Sequence, residues 1–164
     1  MRRGTRFGFS VTVAIVVALI VPALAAALSI IIYVNSGVAG ATLGMRDSTA
    51  AKKIGKVVKS GRDSSYEGQT VYYFYFGTKS GGKYPIEMYS NSRHKVFTFV
   101  VNSYKYRTLK GVRVGTSEAA LKKAYPGLKR HPGPVYIRYS LGTRTGTDFY
   151  VKSQRVQRIV VRTY

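Results

Sequence analysis

Three hydrophobic patterns follow one another along the chain. Residues 10–34, SVTVAIVVALIVPALAAALSIIIYV, are apolar almost without interruption, and no charge occurs between Phe7 and Met45. Two short stretches then place apolar residues at helical spacing. The remainder consists of runs rich in Val, Tyr, Phe and Ile bounded by Gly, Ser and Asn, a pattern that predicts short strands.

The clearer helical phrase is GVRVGTSEAALKKAYPG, residues 111–127. Thr116 or Ser117 supplies a hydroxyl that accepts from the free N–H groups of a first turn. Glu118 lies near the positive end of the helix dipole, and Lys122 and Lys123 near the negative end. Leu121, Ala124, Tyr125 and Leu128 form an apolar stripe, and Pro126 and Gly127 stop it. An earlier phrase, LGMRDSTAAKKIGKVVKSG, echoes it. Asp47 or Ser48 is its cap, Ala50, Ile54, Val57 and Val58 are its stripe, and Gly61 is its exit.

The echo continues downstream. VYYFYFGTKSG (71–81) parallels VYIRYSLGTRTG (135–146), and KVFTFVV (95–101) parallels RVQRIVV (155–161). Three matched blocks in one order predict a duplication. The expected fold is α+β, with two units, 35–110 and 111–164, each a helix followed by a three-stranded antiparallel β-meander. Residues 59–70 are polar and contain Gly and Ser, which predicts a loop.

The phrase Gly111-Val112-x-x-Gly115-x-Ser117-x-x-x-Leu121, followed by a small helix and strands, resembles tandem BamE/SmpA/OmlA-like repeats. It is also similar in architecture to the β-lactamase-inhibitory protein. The resemblance spans residues 38–164 and implies a small non-enzymatic module of the bacterial cell envelope that binds other proteins. The chain departs from both families in having no cysteine, so it has neither a lipid-anchor cysteine nor disulfides. No partner-contacting residue carries over, because the contacting loops do not match.

The apolar segment reads as a transmembrane anchor. A helix of about 24 residues is roughly 36 Å long, enough for a hydrocarbon core of about 30 Å. Arg2, Arg3 and Arg6 precede it, which predicts a cytoplasmic N-terminus (1–9) and an extracytoplasmic domain. A cleaved signal with its site at Ala23-Leu24-Ala25 or Ala39-Gly40-Ala41 is the alternative, and it predicts a secreted, inhibitor-like module released near Ala41.

Charge changes the picture most. The chain carries 27 Lys and Arg against 6 Asp and Glu, a net charge of +21. Self-repulsion makes such an excess unfavourable for a compact chain, which points to an anionic neighbour: an envelope polymer, lipid head groups or an acidic protein. The run Tyr72 to Phe76 beside lysines suggests a stacking platform for nucleic acid. Five aromatics in a row, however, place side chains on both faces of a strand, and no nucleic-acid signature accompanies them. In the last strand, alternation sets Arg158 and Arg162 on one face with Val156 and Val160, and Arg155, Ile159 and Val161 on the other. Arg138, Arg155, Arg158 and Arg162 are the candidates for an anion-binding surface.

Catalytic chemistry has little to draw on. The acids are Asp47, Asp63, Glu67, Glu87, Glu118 and Asp148, and the histidines are His94 and His131. They show no metal-ligand spacing, paired-carboxylate pattern or G-x-S-x-G. GTKSGGK and GTRTG lack the spacing of a phosphate loop and read as hairpin turns. The expectation is a binding or scaffolding module with no enzyme activity, no cofactor and no metal.

Overall fold

The computed structural model describes residues 31–66 and 69–164. Two sheets form most of it. The smaller pairs β1 (Ile31–Tyr33) with β2 (Gly37–Val38) and with β8 (Arg107–Thr108), and β2 with β3 (Ala41–Thr42). The larger is an antiparallel sheet of eight strands. Its first four follow in sequence: β4 (Val57–Tyr66), β5 (Gln69–Phe76), β6 (Ile86–Ser90) and β7 (Val96–Val101). Its last four are β9 (Lys129–His131), β10 (Ile137–Gly142), β11 (Thr145–Lys152) and β12 (Arg155–Thr163). The two halves join through β7 and β12, so that β4 and β9 are the outer edges.

One face of this large sheet carries the core. Phe76, Ile86, Met88, Phe99, Phe149 and Ile159 pack there against Ile32 and Val38 of the small sheet. Two short helices complete the cover. From α1 (Asp47–Ile54) comes Ala50, and from α2 (Glu118–Ala124) comes Leu121, both fully buried. Ser117 caps α2 by accepting from the Ala120 N–H. Asp47 instead lies inside the first turn of α1, with Arg46 at the N-cap position. Its carboxylate accepts from the Ser48 N–H at 2.6 Å and from the buried Ser90 hydroxyl at 2.9 Å.

This architecture corrects the α+β expectation. The described residues are mostly strand, their helices have only eight and seven residues, and the large sheet has four strands from each half, not three. Two local readings change with it. The first helix ends at Ile54 with Gly55 at φ 129°, so Val57 and Val58 belong to β4 and not to a helical stripe. Most of the stretch 59–70 is strand, because a polar strand paired on one side only satisfies its backbone through β5 while its side chains stay wet.

The membrane anchor expected over 10–34, and the single-pass location built on it, are corrected as well. Ile31–Tyr33 at the end of that segment form β1, and Ile32 is fully buried in the core. No helix among the described residues is long and apolar enough to cross a membrane. Residues 1–30, which carry the rest of that reading and the Ala23–Ala25 site, lie outside the described residues. The alternative site at Ala39–Ala41 sits within the small sheet, where both alanines are buried and Ala41 opens β3.

A tight turn joins β11 to β12, and it holds two non-glycine residues in the left-handed region, Ser153 at φ 50° and Gln154 at φ 59°. That conformation costs an L-residue with a side chain roughly 1–2 kcal/mol. Gln154→Gly is therefore expected to raise stability by about 1 kcal/mol, read as a higher urea midpoint with an unchanged slope.

Candidate functional site

The face of the large sheet opposite the core is built from the other set of alternating residues. Cross-strand register arranges them in rows. One row runs Lys59, Tyr75, Glu87, Val100, Val160 and Asp148 from β4 to β11. A second runs Gly61, Tyr73, Tyr89, Thr98 and Arg162. A third, confined to the second half, runs Arg158, Tyr150, Arg138 and His131. Lys59, Tyr73, Tyr75, Tyr89, Thr98, Val100, Val160, Arg162 and, from the third row, Arg158 line a groove of about 550 Å³ across β4, β5, β6, β7 and β12, with the acid Asp63 also in its wall. A shallower recess adjoins it between Arg138, Tyr150 and the loop from His131 to Tyr136.

Tyrosines form the wall over the first half. Tyr73 and Tyr75 stack with centroids 5.0 Å apart, and Tyr75 stacks on Tyr84 at 4.6 Å. The Lys79 ammonium lies 5.8 Å from the Tyr84 centroid. Tyr73 lies across Gly61, where a Cβ would meet the phenol oxygen at 2.2 Å, so a larger residue there would push the ring aside. Tyr89 donates to Glu87 at 2.8 Å, and Asn102 donates to the other oxygen of that carboxylate at 3.0 Å. Burial first, and then the Glu87 carboxylate, push the Tyr89 phenol well above its ordinary range.

Arginines form the floor over the second half. The Arg162 guanidinium pairs with the fully buried Asp148 at 2.7 Å, and Tyr164 donates to the same carboxylate at 2.9 Å. Its charge is thus largely compensated. Arg158 differs. Its guanidinium carbon lies 4.1 Å from the Tyr150 centroid and 5.6 Å from that of Tyr136, and it has no hydrogen-bond or ion-pair partner among the described residues. The two rings stand edge to face, so the guanidinium packs on Tyr150, the nearer ring, with Tyr136 beside it, and its Nε is buried without a hydrogen-bond partner.

Of the four arginines singled out from sequence, Arg138, Arg158 and Arg162 share this face, while Arg155 does not join them. Arg155 opens β12, where its Nη1 donates to the Gly115 carbonyl at 3.0 Å. Val156 also departs from simple alternation and packs in the core. The ladder passes from Tyr150↔Arg158 to Val151↔Val156, so Gln157 is an extra residue, a bulge that returns Val156 to the other face. Tyr72 turns to the core side and stacks on His94 at 4.4 Å. The tyrosines that matter most here, Tyr75, Tyr136 and Tyr150, carry a weak sequence signal: each stands two residues from another aromatic or a basic residue, at strand spacing.

Glu118 and Asp47 are engaged in the fold. Lys122 and the Tyr139 hydroxyl both bond Glu118 and hold its carboxyl below the usual range. The Ser90 hydroxyl and His94 Nδ1 both approach the same oxygen of Asp47, at 2.9 and 2.8 Å. Serine and histidine therefore face the carboxylate and not each other, which is unlike the relay that activates a nucleophile. No group of three His, Cys, Asp or Glu placed to hold a metal occurs among the described residues.

A phenol with a raised pKa stabilises the fold fully below its unfolded value near 10 and loses that contribution as pH rises above it. Tyr89, Tyr106, Tyr125 and Tyr164 are all raised by burial. Stability measured by urea titration is expected to fall between pH 9 and pH 11, and Tyr89→Phe to flatten that decline.

No family model matches this chain, and no curated protein does. Among solved structures it is similar to the uncharacterized protein yfeY from Escherichia coli, with a TM-score of 0.52 and 16% identity over 78% of this chain and 97% of that one. The likeness is one of fold alone.

Proposed function

We propose that this chain is a binding module whose open sheet face holds an anionic partner. The observation that carries the reading is Arg158: a guanidinium packed on Tyr150 and near Tyr136, lining a groove, with no hydrogen-bond or ion-pair partner among the described residues. The electrostatic setting supports it. Asp47, Glu87, Glu118 and Asp148 are each bonded by protein groups, so the positive excess is carried by side chains that face outward. A non-catalytic role agrees with the same fact, since a carboxylate engaged in structure is a poor proton carrier for substrate.

The reading distinguishes a site from a diffuse field. With the full chain, binding of labelled dextran sulfate at about 0.15 M salt is expected to weaken roughly tenfold in Arg158→Gln, the loss of one charge-assisted contact. Lys52→Gln removes the same charge from the exposed side of α1 and is expected to change affinity much less. Equal, small losses from both substitutions would mean that no site exists. Binding that survives about 1 M salt would show that charge is not what holds the ligand.

A further inference from the structure

Resting on that reading, we infer that the ligand is an acidic glycan: a chain of hydroxylated rings carrying carboxylate or phosphate groups, laid across the strands from Tyr75 to Arg138. Two observations give the direction and length. The groove and the adjoining recess meet at Arg158, which lines the first and stacks on Tyr136 and Tyr150 of the second. Tyr150 pairs in register with both Arg158 and Arg138, so the cations of the two recesses lie on one row. From β5 to β10 is five strand steps, about 24 Å at the usual spacing of about 4.8 Å. A single small anion does not span that distance; a chain does.

The ring geometry selects the kind of chain. Tyr75 is stacked by Tyr73 and Tyr84, Tyr84 has the Lys79 ammonium near its ring, and Tyr136 and Tyr150 are taken up by Arg158 and by each other, edge to face at 6.2 Å. A nucleobase platform needs free ring faces, and Tyr75, at the centre of the ladder, already stacks with two other rings. What the ladder offers is its phenol edge. The hydroxyls of Tyr73 and Tyr84 have no hydrogen-bond partner among the described residues and stand ready for a polyhydroxylated ligand.

An acidic peptide fits less well. Extended peptides gain their affinity by pairing with a free strand edge. The floor of the track is β6, β7, β12 and β11, interior strands whose backbone groups are already paired on both sides. Recognition there must come from side chains: guanidinium for the anionic groups and phenol for the hydroxyls.

The test compares polygalacturonate fragments of graded length, oligothymidylate and polyglutamate on the full chain, read by the intrinsic fluorescence of its 14 tyrosines, which no tryptophan masks. Polygalacturonate is expected to bind tightest, with affinity rising with length until the chain spans the track and then levelling. Arg138→Gln should weaken long fragments several-fold and leave short ones unchanged. Tyr73→Phe, which keeps the ring over Gly61 and removes only the hydroxyl, should weaken every fragment. If oligothymidylate or polyglutamate binds tighter, with the same dependence on Arg158, the glycan assignment falls and the anionic site stands. If Arg138→Gln affects long and short fragments alike, the two-recess track falls. If none of the three polymers binds, both the track and the anion-binding reading fall.

Discussion

The pairing of β7 with β12 is the constraint on which the rest depends. It joins the two four-stranded halves, and its register, Val161↔Phe99 and Ile159↔Val101, decides what each face presents. In this register Phe99, Val101, Ile159 and Val161 enter the core, while Thr98, Val100, Val160 and Arg162 form the middle of the opposite face. A slip of one residue would exchange the two sets, putting an arginine into the core and a phenylalanine into the groove. The large core residues hold the register, because deleting a buried Phe costs about 3–5 kcal/mol. The groove is thus positioned by side chains that never touch it.

Electrostatics adds a second constraint. A chain with 27 basic and 6 acidic residues has few carboxylates with which to compensate its own field. It uses them at points where a polar group would otherwise be buried alone. Asp148 lies at 0% exposure under Arg162 and Tyr164, and Asp47 at 6% exposure takes the buried Ser90 hydroxyl. Buried charge is tolerated when it is bonded in this way. The consequence is an outer surface dominated by one sign, and on the binding role proposed above such a surface attracts polyanions with weak discrimination among them. On that proposal discrimination has to come from fixed geometry, for which the packing of Arg158 on Tyr150 beside Tyr136 is the candidate.

How much of this was legible in the sequence differs from element to element. The second helix was legible because its signals are local: a Ser117 cap, a dipole-matched Glu118 and a Pro126-Gly127 stop within a dozen residues. β4 was not, because Lys59, Ser60, Gly61, Arg62 and Asp63 have loop composition, and only the long-range partner β5 makes them a strand. Nor was β1, since Ile31 and Ile32 end a long apolar run, and a short buried strand has no periodicity of its own to set it apart from such a run. The site divides in the same way. That Arg158 and Arg162 share a face followed from the two-residue period within one strand. That Arg138 joins them depends on the β10–β11–β12 register, which no local pattern encodes. Val156 was assigned to the wrong face because the bulge at Gln157 breaks the period between it and Arg158.

The two halves of the open face also differ in a way that bears on what the groove can do. In the first half, Tyr73, Tyr75, Tyr84 and Tyr89 are held by each other, by Gly61 and by Glu87. In the second half, the open face carries arginines braced by Tyr136, Tyr150 and Tyr164. Rings thus stiffen both halves, but they expose different groups: phenol edges on one side and a guanidinium edge on the other. Tyrosine loses little conformational freedom when bound, and an arginine already stacked loses less than a free one. Both halves therefore meet a ligand with side chains ordered in advance. A preformed face of this kind favours a partner that brings repeated hydroxyl and anionic groups at fixed spacing over one that must be folded around.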